Sequence, residues 1–161
     1  METGSSKCGG LGGLLGYHLR RASAAVMTDF SNELSGVALR PVQFAILSLI
    51  ADNDGTSQTE LCRELNVQKT NMVPLVAELE RRGLLARKAA PSDRRVQLLT
   101  LTGRAHREMP AWRALVARHE ERFFGPLTAP ERAQLLTLLD KLWAAEENGE
   151  PMPDKVLTGA G

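Results

Sequence analysis

Apolar residues recur every three or four positions in the first fifty residues, and this spacing predicts two helices. The first helix runs from about Leu14 to Leu34 and ends at Ser35-Gly36. Its apolar positions are Leu15, Leu19, Ala22, Val26 and Phe30. Pro41 suits the first turn of a second helix, because proline lacks the N–H that this turn leaves unpaired. The apolar side of the second helix comprises Phe44, Leu47, Ile50 and Ala51.

Two shorter helices follow a predicted turn at residues 52–55, and together they indicate a helix-turn-helix. Ser57 and Glu60 form a capping-box pattern at the start of the third helix, which ends at Leu65-Asn66. Asparagine tolerates the left-handed backbone that a tight helix exit requires. The fourth helix is predicted from about Lys69 to Arg82, before Gly83. Its predicted buried residues are Met72, Leu75, Val76 and Leu79.

The residues after Gly83 change character and predict a β-hairpin. Residues 84–88 and 96–101 are short apolar-rich runs, and the loop between them contains turn residues and a basic tip. A hairpin directly after a helix-turn-helix makes a winged helix. We therefore predict a mainly α protein with a small β-hairpin, an α+β fold around a winged helix-turn-helix core.

Two further helices are predicted after the hairpin. Thr102 can cap a fifth helix, in which Pro110 should produce a kink or a split. Its apolar side comprises Ala105, Met109, Trp112, Val116, His119 and Phe123. A second capping-box pattern at Thr128 and Glu131 starts a sixth helix. Its leucine stripe comprises Leu135, Leu138, Leu139 and Leu142. Because the outer helices have apolar stripes with nothing of their own to cover, they indicate a partner chain.

The composition is that of an ordinary globular protein, with 161 residues, 43% apolar and 24% charged. The longest charge-free apolar run, residues 41–51, is too short to span a membrane. An acidic residue near the N-terminus is unlike a secretory signal, so we expect a cytoplasmic protein. Charge is uneven along the chain: residues 57–104 carry a net charge of +4, against −1 before them and −2 after them. A basic central segment favours a polyanionic partner.

Several segments resemble the MarR family of bacterial winged-helix transcription regulators. The segments that carry the resemblance are residues 61–67, residues 75–84, the hairpin run Pro91-Ser92-Asp93-Arg94-Arg95 and the exit Leu101-Thr102-Gly103-Arg104. Residues 40–47 resemble the second helix of the family, and residues 127–132 resemble its last helix. The resemblance covers about residues 14–145. It implies a homodimer held by the first, fifth and sixth helices, which binds a palindromic DNA operator and releases it when a ligand or an oxidant acts. Two positions depart from the family: Asn66 stands where glycine is frequent, and Pro74 where many members have a polar or basic residue.

The predicted elements and the resemblance divide the chain into five parts. Residues 1–13 form a flexible N-terminal segment, residues 14–40 a dimerisation helix, and residues 41–101 the winged helix-turn-helix domain. Residues 102–147 form the C-terminal dimerisation helices, and residues 148–161 a flexible tail rich in glycine and proline.

The start of the fourth helix supplies the predicted contacts to bases, because a recognition helix presents its N-terminal residues to the major groove. These residues are Gln68, Lys69, Thr70 and Asn71. Glutamine and asparagine can bond adenine through two hydrogen bonds, and threonine can contact a thymine methyl group or a phosphate. The structural alternative is a solvated helix start with a polar cap.

The hairpin loop supplies the second set of predicted DNA contacts. Arg94 and Arg95 suit a narrow, A·T-rich minor groove, whose negative potential attracts arginine. We expect Asp93 to pair with Arg95 and hold the loop in shape, and the Asp-x-Arg pattern of the family falls on the same two residues. Arg87 and Lys88 are predicted phosphate contacts. The alternative is a solvated charged turn.

An effector site is predicted where the first two helices meet, since the resemblance implies small aromatic carboxylates between the dimer helices and the winged helix. Its candidate residues are Tyr17, His18, Arg21, Gln43 and Phe44. An arginine would pair with the carboxylate, and aromatic side chains would enclose the ring. The alternative assigns Tyr17 and Phe44 to the core and leaves His18 and Arg21 solvated.

Three other functions are compared with a ligand-responsive repressor. A thiol-based redox regulator would use Cys8 or Cys62, although Cys62 is expected to be inert and half-buried. An enzyme is disfavoured because the sequence has no Gly-rich phosphate loop, nucleophile elbow or metal-binding helix, and no cofactor or metal is predicted. A winged helix used for protein interaction is disfavoured by the basic loop. The sequence identifies neither the operator nor the effector.

Overall fold

The computed structural model describes residues 9–91, 93 and 95–147. A 3-10 turn at Gly9–Gly13 precedes the first helix, within the segment predicted to be flexible. The elements that follow are α1 (Leu15–Ser35), α2 (Pro41–Asp52), β1 (Thr56–Ser57), α3 (Gln58–Glu64), α4 (Lys69–Arg81), β2 (Leu85–Ala89), β3 (Gln97–Leu101), α5 (Gly103–Phe123) and α6 (Ala129–Glu147). The predicted fold class, mainly α with a winged helix-turn-helix core, is confirmed.

Helix boundaries around the helix-turn-helix follow from local chemistry. The Ser57 backbone N–H donates to the Glu60 carboxylate at 2.7 Å, and the Glu60 N–H donates to Ser57 Oγ at 3.2 Å, which confirms the predicted capping box. The hydrogen bond from the Ser57 backbone to the carboxylate, followed by that from the Ser57 side chain, lowers the pKa of Glu60. Asn66 adopts the predicted left-handed backbone after α3, with φ of 47°. Gly83 does the same after α4, with φ of 67°.

The predicted hairpin is part of a three-stranded antiparallel sheet in the order β1-β3-β2. Leu99 of β3 is opposite Arg87 on one side and Thr56 on the other. The sequence analysis missed β1, because this strand has two residues and Ser57 also caps the next helix. This pairing connects β3 of the hairpin to the start of the helix-turn-helix.

The described core lies between α1, α2, α4, the sheet and α5. Leu34 of α1, Ile46 and Leu47 of α2 and Leu99 of β3 are fully buried. All four residues predicted for the inner side of α4 are buried, namely Met72, Leu75, Val76 and Leu79. Burial of a large aliphatic side chain contributes about 1.5–3 kcal/mol, so this stripe fixes the rotation of α4 about its own axis.

The fifth helix is unbroken from Gly103 to Phe123, so of the two outcomes predicted for Pro110 the split is wrong. Proline removes one backbone hydrogen bond in a helix interior. The side chains of Met109 and Trp112, on either side of Pro110, are buried in the core and hold both halves of the helix in place.

By its packing the chain divides into a first unit that extends through Glu120 and a second that begins at Glu121. In the second unit, the Thr128 N–H and hydroxyl both donate to the Glu131 carboxylate at 2.7 Å at the start of α6. The leucines of α6 are largely exposed, as Leu136 and Leu142 illustrate. In the first unit, Leu15, Leu19 and Met27 of α1 are exposed as well. Both units therefore have uncovered apolar surface.

The left-handed backbone at Gly83 predicts a measurable cost for a side chain there. A Cβ at Gly83 would meet no other atom, so Gly83→Ala should destabilise the protein by about 1–2 kcal/mol through backbone strain alone. Gly36 is the matched control, because it is equally uncrowded but has a right-handed helical backbone. Gly36→Ala should be neutral or stabilising by up to about 1 kcal/mol. Urea unfolding of both variants measures the difference, and equal effects would contradict a role for backbone strain at Gly83.

Candidate nucleic-acid interface

The start of α4 presents polar side chains to solvent at the N-terminal end of the helix, before the buried stripe begins at Met72. Gln68, Lys69, Thr70 and Asn71 are all exposed. The Gln68 side chain makes no capping hydrogen bond although it occupies the N-cap position. The amide groups of Gln68 and Asn71 can therefore reach an external partner. Such amides bond the two edge atoms of adenine, as the sequence analysis predicts.

Contacts from other elements hold α4 in place. The Arg40 guanidinium, at the start of α2, forms an ion pair with Glu78. Arg82, just after α4, donates to the Ala38 carbonyl oxygen at 2.8 Å. Together with the buried stripe, these contacts make α4 a rigid support for its exposed residues.

The Asp93–Arg95 pair predicted for the hairpin loop is confirmed. The Asp93 Oδ1 atom accepts the backbone N–H of Arg95 at 2.9 Å, and the Arg95 guanidinium donates to Oδ2 at 3.0 Å. The hydrogen bond from the Arg95 side chain, followed by that from its backbone, lowers the pKa of Asp93. Arg95 itself remains highly exposed, so the pair shapes the loop and leaves a cation on its surface. Arg94 lies outside the described residues.

The two predicted phosphate contacts on β2 differ in a way that the sequence analysis did not anticipate. The Arg87 guanidinium donates two hydrogen bonds to Glu80 of α4, at 2.7 and 3.0 Å. These hydrogen bonds raise the pKa of Arg87 above its usual value, and the Glu80 carboxylate compensates the positive charge of the guanidinium. Lys88 is exposed, and its ammonium forms no ion pair with a carboxylate of the described residues. Lys88 is therefore the better placed of the two to meet a phosphate.

The five predicted effector residues fall into two groups. Arg21 lies over the Tyr17 ring, 5.7 Å from its centroid, and His18 Nε2 lies 2.8 Å from the Gly12 carbonyl oxygen. Phe44 instead makes an edge-to-face contact with Phe30, thirteen residues further along α1 than Tyr17. At about 1.5 Å per residue the two groups are about 20 Å apart, too far for one small ligand to span within one chain.

Gln43, the residue before Phe44, stabilises the start of α2. Its side chain is buried, and its Oε1 atom accepts the Arg40 backbone N–H at 3.0 Å at the start of α2. This capping contact satisfies the oxygen of the buried side-chain amide.

An aromatic and ionic cluster around the buried His119 joins α1, α2 and α5, and the sequence analysis missed it. The His119 ring stacks on Phe30 with the ring centroids 4.9 Å apart, and His119 Nδ1 lies 2.6 Å from the Asp29 carboxylate. Arg118 adds an ion pair with Glu33 at 3.0 Å. The heptad-like spacing places His119 on the buried side of α5, but nothing in the sequence indicates a partner ninety residues away.

A cavity of about 470 Å³ lies between the end of α2, β1 and α3. Among the described residues, its lining includes the carboxylates of Asp54, Glu60 and Glu64 and a single cation, Arg63. Arg63 already donates to Glu64 at 2.8 Å. The negative lining is unsuited to an anionic effector or to a DNA phosphate.

The remaining candidate groups give no second site. Cys62 is half-buried and packs against the core, in agreement with its predicted structural role, and Cys8 lies outside the described residues. Within residues 9–91, 93 and 95–147 there is no group of three His, Cys, Asp or Glu side chains suited to a metal ion. No helix in the described part of the chain is long and apolar enough to cross a membrane.

Comparisons with known proteins agree with this geometry. The sequence profile of the MarR family matches residues 37–96, which include α2, the helix-turn-helix and most of the hairpin. A protein of Thauera aromatica assigned to regulation of the hcr operon is 32% identical over 136 residues, 84% of this chain and 82% of that protein.

Solved structures extend the similarity to the whole fold. The repressor CouR bound to a 23-mer DNA duplex is 39% identical, with a TM-score of 0.80 over 85% of this chain and 97% of that one. A MarR family protein of Mycobacterium tuberculosis in complex with salicylic acid is 32% identical, with a TM-score of 0.65 over 80% of this chain and 96% of that one. The chain therefore belongs to the MarR family of winged-helix transcriptional regulators.

Proposed function

We propose that the protein is a cytoplasmic homodimeric repressor that binds a palindromic DNA operator and is released from it by a small aromatic effector. The single observation that carries the proposal is the exposed polar start of α4, on a helix held in place by its buried stripe and beside a basic hairpin loop. Gln68–Asn71 would enter the major groove, and Arg95 with its neighbour Arg94 would enter the adjacent minor groove. The DNA-bound state of CouR supports this proposal.

The dimer follows from the uncovered apolar side chains of α1 and α6. Leu15 of α1 is 82% exposed and Leu136 of α6 is 63% exposed, which is unfavourable in water unless another surface covers them. A two-fold dimer would place two α4 helices about one DNA turn, roughly 34 Å, apart. Each recognition helix would then read one half of a palindrome.

The effector would act on the spacing of the two recognition helices. The His119–Asp29 and Arg118–Glu33 pairs join α5 to α1, and the Phe30–Phe44 contact joins α1 to α2. A ligand that moves α1 would therefore also move the start of the winged helix. By binding better to a dimer with the wrong spacing, it would shift the population away from DNA.

An aromatic acid or its coenzyme A thioester is the proposed effector class. Related structures hold salicylic acid, and CouR, at 36% identity, holds p-coumaroyl-CoA. In this chain Arg21 is exposed beside Tyr17, and its Nη1 donates to the phenol oxygen at 3.4 Å. A carboxylate could pair with Arg21 while its ring packs against Tyr17. A thioester has no free carboxylate, so its phosphates would take that place.

Selection from a random duplex pool tests the function directly. The purified protein is mixed with the pool at near-physiological salt, and the bound fraction is sequenced. We expect an inverted repeat with half-sites about one turn apart. Binding without enrichment would contradict sequence-specific repression, and failure to bind would favour a winged helix used for protein interaction. An affinity for DNA that does not fall as the salt concentration rises would also favour a winged helix used for protein interaction.

The contrast between Lys88 and Arg87 predicts unequal effects on the salt dependence of operator binding. Lys88→Ala should reduce the slope of log affinity against log salt by about one for each protomer. Arg87→Ala should reduce it by less, because Glu80 already neutralises Arg87 in the free protein. Titrations at four salt concentrations measure both slopes. Equal reductions would show that Arg87 leaves Glu80 for a phosphate on binding.

The Arg21–Tyr17 contact predicts that Arg21 takes part in the response to the effector. Operator release is titrated with salicylate, p-coumarate and p-coumaroyl-CoA for the native protein and two variants. Arg21→Ala should raise the required concentration of the active compound about tenfold or more, because a hydrogen bond to a charged group contributes about 1.5–3 kcal/mol. Arg20→Ala is the control, because Arg20 is exposed on the same helix without the aromatic contact. An unchanged response of Arg21→Ala would exclude Arg21 from the effector site.

A further inference from the structure

The exposed side of α4 contains an apolar patch that the predicted base contacts do not explain. Val73 is 49% exposed, although valine usually faces the interior of a helical domain. Pro74 and Ala77 are exposed next to it, and Thr70 lies one turn before it on the same side. We name these four residues, Thr70, Val73, Pro74 and Ala77, the α4 patch.

The α4 patch differs from the uncovered surface of α1 and α6. It lies on the side of α4 opposite the core residues Met72, Leu75, Val76 and Leu79. It shares Thr70 with Gln68–Asn71, the proposed contacts to base edges, and its other three residues follow them along the helix, with a cation, Lys69, at its start. Its position therefore continues the proposed major-groove interface.

The major groove offers one apolar group, the 5-methyl group of thymine. We propose that Val73 contacts this methyl group in each half-site, so that the operator has a thymine at a position that Gln68–Asn71 leave unread. This inference rests on the proposed DNA-binding function. The branched side chain of Val73 is stiff, so it can cover a methyl group with little loss of conformational freedom.

The neighbouring residues restrict the contact to Val73. Ala77 has a short side chain and lies one turn further from the N-terminal end that enters the groove. The Pro74 ring lies beside Val73 and adds apolar surface, and proline has no N–H to offer a base. Thr70 has both a methyl group and a hydroxyl, so its contribution has to be separated experimentally.

Replacement of thymine by deoxyuridine tests the inference, because it removes the methyl group and keeps the base pair. Each thymine of the selected operator is replaced in turn, symmetrically in both half-sites, and the Kd is measured. At one position the native protein should lose about fourfold in affinity for each half-site, or about fifteenfold for both. In Val73→Ser the same replacement should have no effect on affinity.

Two control variants separate Val73 from the other exposed side chains near the DNA. Val96, in the hairpin, is 42% exposed, and Val96→Ala should retain the full response to deoxyuridine. Thr70→Ser keeps the hydroxyl and removes only the methyl group of Thr70, so loss of the response in Thr70→Ser together with its retention in Val73→Ser would assign the contact to Thr70 instead. If Val73→Ser still loses affinity when thymine is replaced by deoxyuridine, the assignment to Val73 is overturned. If the native protein binds the operator tightly and loses no affinity at any replaced thymine, the inference is overturned but the repressor function stays intact. If the selection yields no operator, the repressor function itself fails.

Discussion

Burial of one side of α4 is the constraint on which the rest of the structure depends. Met72, Leu75, Val76 and Leu79 face the core, so the opposite side of the same helix must face solvent. The ion pair between Arg40 and Glu78 also fixes the position of α4 along its own axis. A helix that is locked in this way can present amides, a hydroxyl and an apolar patch to DNA in one orientation. Specific recognition needs that rigidity, because contacts to bases tolerate little displacement.

The sheet and α5 extend the same constraint to the rest of the first unit. The strand β3 pairs with β2 in the hairpin and with β1 before the helix-turn-helix, so that the hairpin cannot move independently of α3. The bond from Arg87 to Glu80 ties the hairpin directly to α4. The His119–Asp29 pair and the stacked Phe30 ring fasten α5 to α1. Because α1, α4, α5 and the sheet share one core, these contacts connect α1 and α5 to α4 and the hairpin.

The sequence predicts the features that depend on local chemistry. Periodicity and helix-end signals locate the six α-helices of the described residues. The capping box at Ser57 and the left-handed exit at Asn66 are both present, and the Asp93–Arg95 pair spans only two residues. The features that it misses join distant residues. Examples are the two-residue strand β1, the Arg87–Glu80 bond and the contact between His119 and Asp29. Distance along α1 likewise separates Tyr17 from Phe44, which the family resemblance predicts to line one cleft.

The central claim is that the exposed side of α4 lies in the major groove. Dimethyl sulfate protection on the selected operator tests it most directly, since the reagent modifies guanine N7 in the major groove and adenine N3 in the minor groove. The proposed function predicts two protected groups of guanine N7 atoms, one in each half-site and about one turn apart, with protected adenine N3 atoms where the hairpin loops would enter the minor groove. Protection confined to adenine N3, with every guanine N7 in the half-sites still reactive, would contradict the claim.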